Sequence, residues 1–287
     1  MSNTSQNVLI TGVSTGIGFE SAIAFANAGC RVYGTIRKPE DATALKDRLG
    51  DRFHSLILDV VDHQSIDQAA AELTKLIDRE GLACLINNAG IATGGPLMHL
   101  PIEDLRYQFE VNVIGLVKVT QAFLPLLGAR KDHPVPPGKI INISSVAGKI
   151  GMPFIGAYAG SKHAVEGISD SLRRELMLFG IDVIVVGPGA IKTPIWNKGL
   201  DVDFADTDYA EPLKLFGGKI ISGTVKNALD ADSLAEDIYK IFQNPRPKTR
   251  YAFVPQKFKT WILPRILPVR VLDGFLGKAL RLRKESN

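Results

Sequence analysis

The chain has 287 residues, 45% hydrophobic and 22% charged, with a formal net charge of +4. That balance supplies a substantial core and excludes a disordered segment or a collagen-like fibre, and two cysteines are too few for a disulfide scaffold. The charge is uneven: from Lys257 onward eight Lys or Arg face Asp273 and Glu285, a local +6, which leaves −2 for residues 1–256 and no basic stripe for nucleic acid. The polar opening MSNTSQ leads straight into a strand, so no secretory signal is expected. NVLITG (7–12), CRVYGTI (30–36), FHSLIL (53–58), LACLIN (82–87), KIINIS (139–144), IDVIVVG (181–187) and the weaker RYAFV (250–254) are short, mostly β-branched apolar runs. Helical patterns over 17–29, 63–80, 103–127, 157–179 and 232–243 separate them. Strands apolar throughout, alternating with helices, predict an α/β fold: a doubly wound parallel sheet covered on both faces, with ligands at the strands' carboxyl ends. There is no internal repeat, and KDHPVPPGK (131–139) is a loop too short to link domains. Cys30 and Cys84 lie in apolar runs and are expected to be buried thiols of a reducing, cytoplasmic compartment.

The first strand runs into TGVSTGIG, where Gly12, Gly16 and Gly18 allow a tight turn and close approach to a pyrophosphate. The spacing is G-x-x-x-G-x-G rather than G-x-G-x-x-G, and such glycines also serve as plain turn punctuation; their place at the first βα turn favours a nucleotide. Arg37, nineteen residues after Gly18, and Lys38 stand at the end of the second strand, where an acidic residue would bind the ribose hydroxyl of NAD. Guanidinium grips a phosphate dianion that a carboxylate would repel, so NADP is expected. A solvated basic turn is the plain alternative, and Glu40 and Asp41 leave NAD open. In AYAGSKHA (157–164), Tyr158 and Lys162 share one helix face, and an ammonium beside a phenol eases its proton. Alone, that spacing is common and proves nothing.

TGVSTGIG, NNAG (87–90), VNVIG (111–115), ISS (143–145) and YAGSK (158–162) occur in order, each at a strand end or helix start. Together they resemble the short-chain dehydrogenase/reductase family over residues 6 to 194. VYGTIRKPEDA and PGAIKTPIW more weakly resemble its retinol and 17β-hydroxysteroid dehydrogenase-like members. The resemblance implies one Rossmann-like domain, 1–287, on a seven-stranded parallel sheet. It implies Tyr158 as the general acid/base for the substrate oxygen, and Lys162 as the group that lowers the tyrosine's pKa and holds the nicotinamide ribose. Ser145 would hold the reacting oxygen, in preference to Ser144, since adjacent strand residues face opposite ways. Asn112 would position the lysine and a relay water. Cofactor contacts would come from Gly12, Ser14, Thr15, Gly16, Ile17 and Gly18, from Arg37 and Lys38, from Asp59 and Val60 at the adenine, and from Asn88, Ala89 and Gly90. Pro188, Gly189, Ile191 and Thr193 would lie along the nicotinamide. Thr15 departs from the basic residue some NADP-using members carry there, which leaves Arg37 carrying the NADP reading. Pairing through the helices of Asn112 and Tyr158, into a homodimer or homotetramer, is also implied.

Residues 195–228 form a long apolar insertion, with Trp196, Leu200, Phe204, Tyr209, Leu213, Leu215 and Phe216. It is expected to be a lid over an apolar pocket also lined by Met152, Phe154 and Ile155, for a steroid- or retinoid-like alcohol or ketone. Simple packing of these aromatics on the body is the alternative. The tail, 256–287, mixes cations with Leu, Ile, Trp and Phe and is broken by Pro264 and Pro268, so it does not span a membrane. It either packs on the body or rests on a membrane surface. No metal is expected, since the histidines His54, His63, His99, His133 and His163 show no ligand spacing. Two rival readings are a non-enzymatic NADP sensor, expected to have lost Ser, Tyr or Lys, and an epimerase or dehydratase, expected to need a longer chain after residue 195.

Overall fold

The computed structural model describes residues 6–196, 204–221 and 227–283. Each predicted apolar run becomes a strand: β1 Asn7–Ile10, β2 Arg31–Ile36, β3 Phe53–Ile57, β4 Cys84–Asn87, β5 Lys139–Ile143, β6 Asp182–Pro188 and β7 Arg250–Phe253. All pairs are parallel, in the order β3-β2-β1-β4-β5-β6-β7. The order reverses between β1 and β4, and such a switch point opens a crevice at the strands' carboxyl ends.

Strand alternation splits the core between the two faces. Val8, Ile10, Val32, Ile86 and Ile141 bury against α1 (Gly16–Asn27) and the helix Ala231–Gln243 through Ala22, Phe25, Leu234 and Ile238. Leu9, Leu85, Ile140 and Val183 face the other way, onto Ile66 and Leu73 of α3 (His63–Ile77) and Val119 and Phe123 of α5 (Gly115–Leu127). α2 spans Thr43–Leu49, a short helix the sequence pattern does not announce.

The expectation of strands covered on both faces fails at β3. His54 and Ile57 are exposed, because β3 is an edge strand and its pattern alternates. α4 (Ile102–Phe109) joins α5 through a π-helical turn, Glu110–Ile114. The combined run Ile102–Leu127 is, among the described residues, the one helix long and apolar enough to cross a membrane, yet it lies over half buried inside the protein. α6 (Gly156–Glu175) follows β5.

Candidate active site

β1 ends at Ile10, and the chain turns into α1 through Gly12 and Gly16, both with positive φ (69° and 62°). A Cβ at Gly18 would stand 2.3 Å from the Gly12 carbonyl oxygen and 2.4 Å from Asn88 Nδ2, so the first turn of α1 packs there only without a side chain. The NNAG turn fixes this loop from the side. Asn88 Nδ2 donates to the carbonyls of Thr11 (2.8 Å) and Gly12 (3.0 Å), and the backbone N–H groups of Asn88 and Ala89 donate to Thr11 Oγ1. Thr15, the residue before α1, makes no side-chain capping bond. The helix therefore presents its first N–H groups and positive dipole end toward Ser14, Thr15 and Ile17, an arrangement suited to a phosphate.

The other expected cofactor residues stand at or just beyond the carboxyl ends of β2, β3 and β6. Thr193, in the loop after β6, lies against Gly16, its Cγ2 being 3.1 Å from where a Cβ would stand. Pro188 ends β6, Gly189 donates to the Phe253 carbonyl, and buried Ile191 bridges Leu229. Arg37 and Lys38 are exposed just beyond β2, and among the described residues neither is paired with a carboxylate. Asp59 follows β3, where Oδ1 accepts from Val61 N (3.2 Å), and Val60 packs against Gly115. A glycine-built phosphate cradle with two cations at the ribose end fits a dinucleotide.

β5 delivers Ser144 and Ser145 to opposite sides. Ser144 turns away and donates to Glu166 Oε1 (2.8 Å). Ser145 turns into the crevice, accepts from Ala147 N (3.1 Å), and shares a hydrogen bond with Tyr158. Tyr158 is buried, and burial pushes its phenol above the ordinary range while the Ser145 bond works against that rise. Lys162 lies one turn further along α6, its Nζ 5.8 Å from the Tyr158 ring centre. Burial lowers its amine to about 8, against a raising influence from Glu166.

Two expected relations acquire specific contacts. The Lys162 amine donates to the Ile143 carbonyl (2.8 Å), which holds its charge beside the Tyr158 ring, while burial raises the phenol and the Ser145 bond opposes that rise. Asn112 supports the helix of Lys162 through Ser161. It holds Ile91 through both amide atoms and donates to Ser161 Oγ (3.0 Å), so it fixes α6 one residue before the lysine. It does so from the π-helical turn, a device that often marks functional sites. Gly90 lets both side chains approach, its missing Cβ lying 3.1 Å from Asn112 Oδ1 and 3.6 Å from Lys162 Nζ.

The profile of the family described as short chain dehydrogenase matches residues 6–201, spanning both the glycine cradle and the Ser145, Tyr158 and Lys162 cluster. The chain belongs to the short-chain dehydrogenase/reductase family. It is therefore an oxidoreductase. Among similar proteins, the NADPH-dependent 3-dehydrocapnine reductase of Ornithobacterium rhinotracheale is 41% identical over 97% of this chain and 99% of its own length. Retinol dehydrogenase 16 of Mus musculus is 31% identical, over 94% of this chain and 87% of its own. The crystal structure of a short-chain dehydrogenase from Streptomyces avermitilis is 28% identical and superposes with a TM-score of 0.79, over 99% of this chain and 100% of that one.

Sequence reasoning missed a buried charge cluster behind the candidate site. Buried Glu166 receives Arg250 Nε at 3.0 and 2.9 Å on its two oxygens, Lys149 Nζ at 3.3 Å, and Ser144 Oγ. Arg250 also donates to the Ser145 carbonyl (3.4 Å). Glu166 stands one turn beyond Lys162 on α6, and that spacing was a usable signal; Arg250, distant in sequence, offered none. Glu166 reaches the expected reacting groups only indirectly, by accepting from Ser144 and by raising the Lys162 amine. Reduction that needs the Lys162 ammonium should fade as pH rises through about 8. In Glu166→Gln the raising influence is gone, so that alkaline limb should move to lower pH, with a severalfold loss at pH 8. A kcat/KM profile over pH checks this: a purely structural role would lower the amplitude at every pH without moving the limb.

The residues expected to line the substrate pocket gather in one cluster. Phe154, Ile155 and Tyr158 bury in one apolar cluster with Phe216, with Met152, Ile195, Tyr209, Leu213 and Leu215 packed around it. Phe154 holds a positive φ of 66°, an uncommon strain for an aromatic residue and one that clusters at functional sites. Its ring meets Phe216 edge-on at 5.5 Å and Tyr209 at 6.0 Å. The insertion is more than a loop, for α7 (Ala210–Leu215) and a π-helical turn, Phe216–Ile221, carry those contacts. The Trp196 side chain and Leu200, both named from the sequence, lie outside the described residues.

Proposed function

We propose that this oxidoreductase prefers NADP and interconverts an apolar alcohol and its ketone or aldehyde. The observation that carries the reading is the Ser145–Tyr158 hydrogen bond lying beneath an apolar cover of Phe154 and Phe216. A carbonyl seated there meets two hydroxyl donors and no competing charge except Lys162. NADP, when bound, supplies or accepts the hydride. Ser145 holds the reacting oxygen, and Tyr158 gives it a proton or takes one away, stabilising the charge that builds there. Lys162 adds positive charge close behind, and Asn112 and Ser161 hold its helix in place. Arg37 and Lys38 favour the extra phosphate of NADP, in keeping with the name of the Ornithobacterium reductase. The sensor alternative is not favoured, since Ser145, Tyr158 and Lys162 all stand in the site.

The apolar lining supports a bulky hydrophobic substrate, of steroid- or retinoid-like size. A cavity of about 260 Å³ lies between Met98–His99 and Asp206–Tyr209, and Tyr209 packs on the Phe154 cluster. With NADPH and a panel of ketones and aldehydes, kcat/KM should rise at least about tenfold from small polar to bulky apolar members. Better turnover of small polar carbonyls would refute the apolar pocket. The exposed apolar residues Ile102, Tyr107 and Ile114 on the Asn112 helices favour self-association there, so light scattering of the same sample should give a multiple of 31.1 kDa. Buried free Cys30, its thiol pushed up to about 11, and Cys84, also pushed up by burial, suit a reducing cytoplasm.

A further inference from the structure

The tail has an inner and an outer side. Inward, Trp261 is buried between the guanidinium groups of Arg250 (4.3 Å) and Arg265 (4.5 Å), tying the tail to the arginine that holds Glu166. Leu280, fully buried, joins the cluster of Phe154, Tyr158 and Phe216. The tail thus packs on the body, as one of the two sequence expectations had it. Outward, Phe258 is 61% exposed, Ile266 66%, Val269 73% and Phe275 65%. Phe258, Ile262 and Ile266 recur one turn apart, and so do Val271 and Phe275 on the helix Val269–Ala279. Among the described residues, Lys257, Lys259 and Lys278 have no carboxylate partner, whereas Arg281 pairs with Glu211 and Arg270 sits 3.9 Å from Asp273.

We propose that residues 257–283 form a docking surface for an anionic lipid bilayer, placing the lid at the membrane. Large apolar side chains interleaved with cations suit the boundary between headgroups and acyl chains, where both kinds of group are satisfied. The local +6 complements an anionic surface, while the −2 body is kept off it. A second copy of this chain is the poorer occupant, because a two-fold contact would set the cationic face against itself. A groove of about 490 Å³ between Gly151, Pro153 and the tail residues Arg270, Leu276, Leu282 and Arg283 borders the Phe154 stretch. Delivery of substrate along it rests on the apolar-substrate reading; docking itself does not.

Sedimentation with vesicles of phosphatidylcholine alone, or mixed with phosphatidylglycerol, tests the proposal on the full chain. The protein should pellet with the mixed vesicles at least about tenfold more strongly than with neutral ones, and added salt should weaken that binding. A Phe258→Ser, Ile266→Ser, Phe275→Ser triple variant should stay in the supernatant with unchanged thermal unfolding and unchanged turnover of a soluble ketone. A wild type that ignores anionic vesicles overturns the proposal, and so does a triple variant that loses half its mass by light scattering, since a second copy then covers the face. Pelleting without turnover of any apolar ketone supports docking and sinks the substrate reading. Turnover of apolar ketones without pelleting does the reverse.

Discussion

Replacing Tyr158 by Phe will cut NADPH-dependent carbonyl reduction by about 10²–10⁴-fold, the range a positioned proton donor contributes, and leave cofactor affinity within about twofold. The ring stays, so the apolar cluster of Phe154, Ile155 and Phe216 keeps its packing. What is lost is the hydroxyl that shares a hydrogen bond with Ser145. Losing one buried hydrogen bond costs about 1 kcal/mol, too little to unfold a domain of this size. Steady-state absorbance gives kcat, and cofactor fluorescence titration gives Kd on the same variant. Turnover within tenfold of wild type would mean that the proton comes from another group. Loss of cofactor binding would instead make Tyr158 part of the cradle.

Replacing Arg37 by Ala should raise the KM for NADPH by about 10- to 100-fold and leave the KM for NADH unchanged, the equivalent of losing charge-assisted hydrogen bonds of about 1.5–3 kcal/mol. The prediction follows from position. Arg37 leaves β2 at the edge of the glycine cradle, exposed, with Lys38 beside it and no carboxylate paired to either among the described residues. Arg37→Lys should recover only part of the affinity, since an ammonium cannot match the two-pronged grip of guanidinium. Initial rates over matched NADPH and NADH concentrations decide it. Equal losses with both cofactors would show that Arg37 supports the fold of the turn, not the extra phosphate.

Much of this site was legible because its signals are local. Gly12, Gly16 and Gly18 announce a turn that tolerates no side chain, and Tyr158 and Lys162 announce a shared helix face. The preference for Ser145 over Ser144 followed from strand alternation, and the structure sends the two side chains to opposite sides, Ser144 to Glu166 and Ser145 to Tyr158. The seven strands were readable from apolar runs bounded by turn residues, although the exposed face of edge strand β3 was not, since only sheet order makes it an edge.

What the sequence determined by itself was the parallel α/β sheet, the glycine turn after its first strand and the shared helix face of Tyr158 and Lys162. In each, the deciding physics acts within a turn of helix or between neighbouring residues. The tertiary structure alone decided which partners those side chains meet. Lys162 bonds the Ile143 carbonyl, Asn112 reaches Ser161, and Glu166 finds Arg250, 84 positions away. It also decided that Leu280 of the tail buries beside Tyr158 while Phe275 stays in water. Desolvation and charge pairing are set by neighbours that only the completed fold assembles, so no local pattern records them.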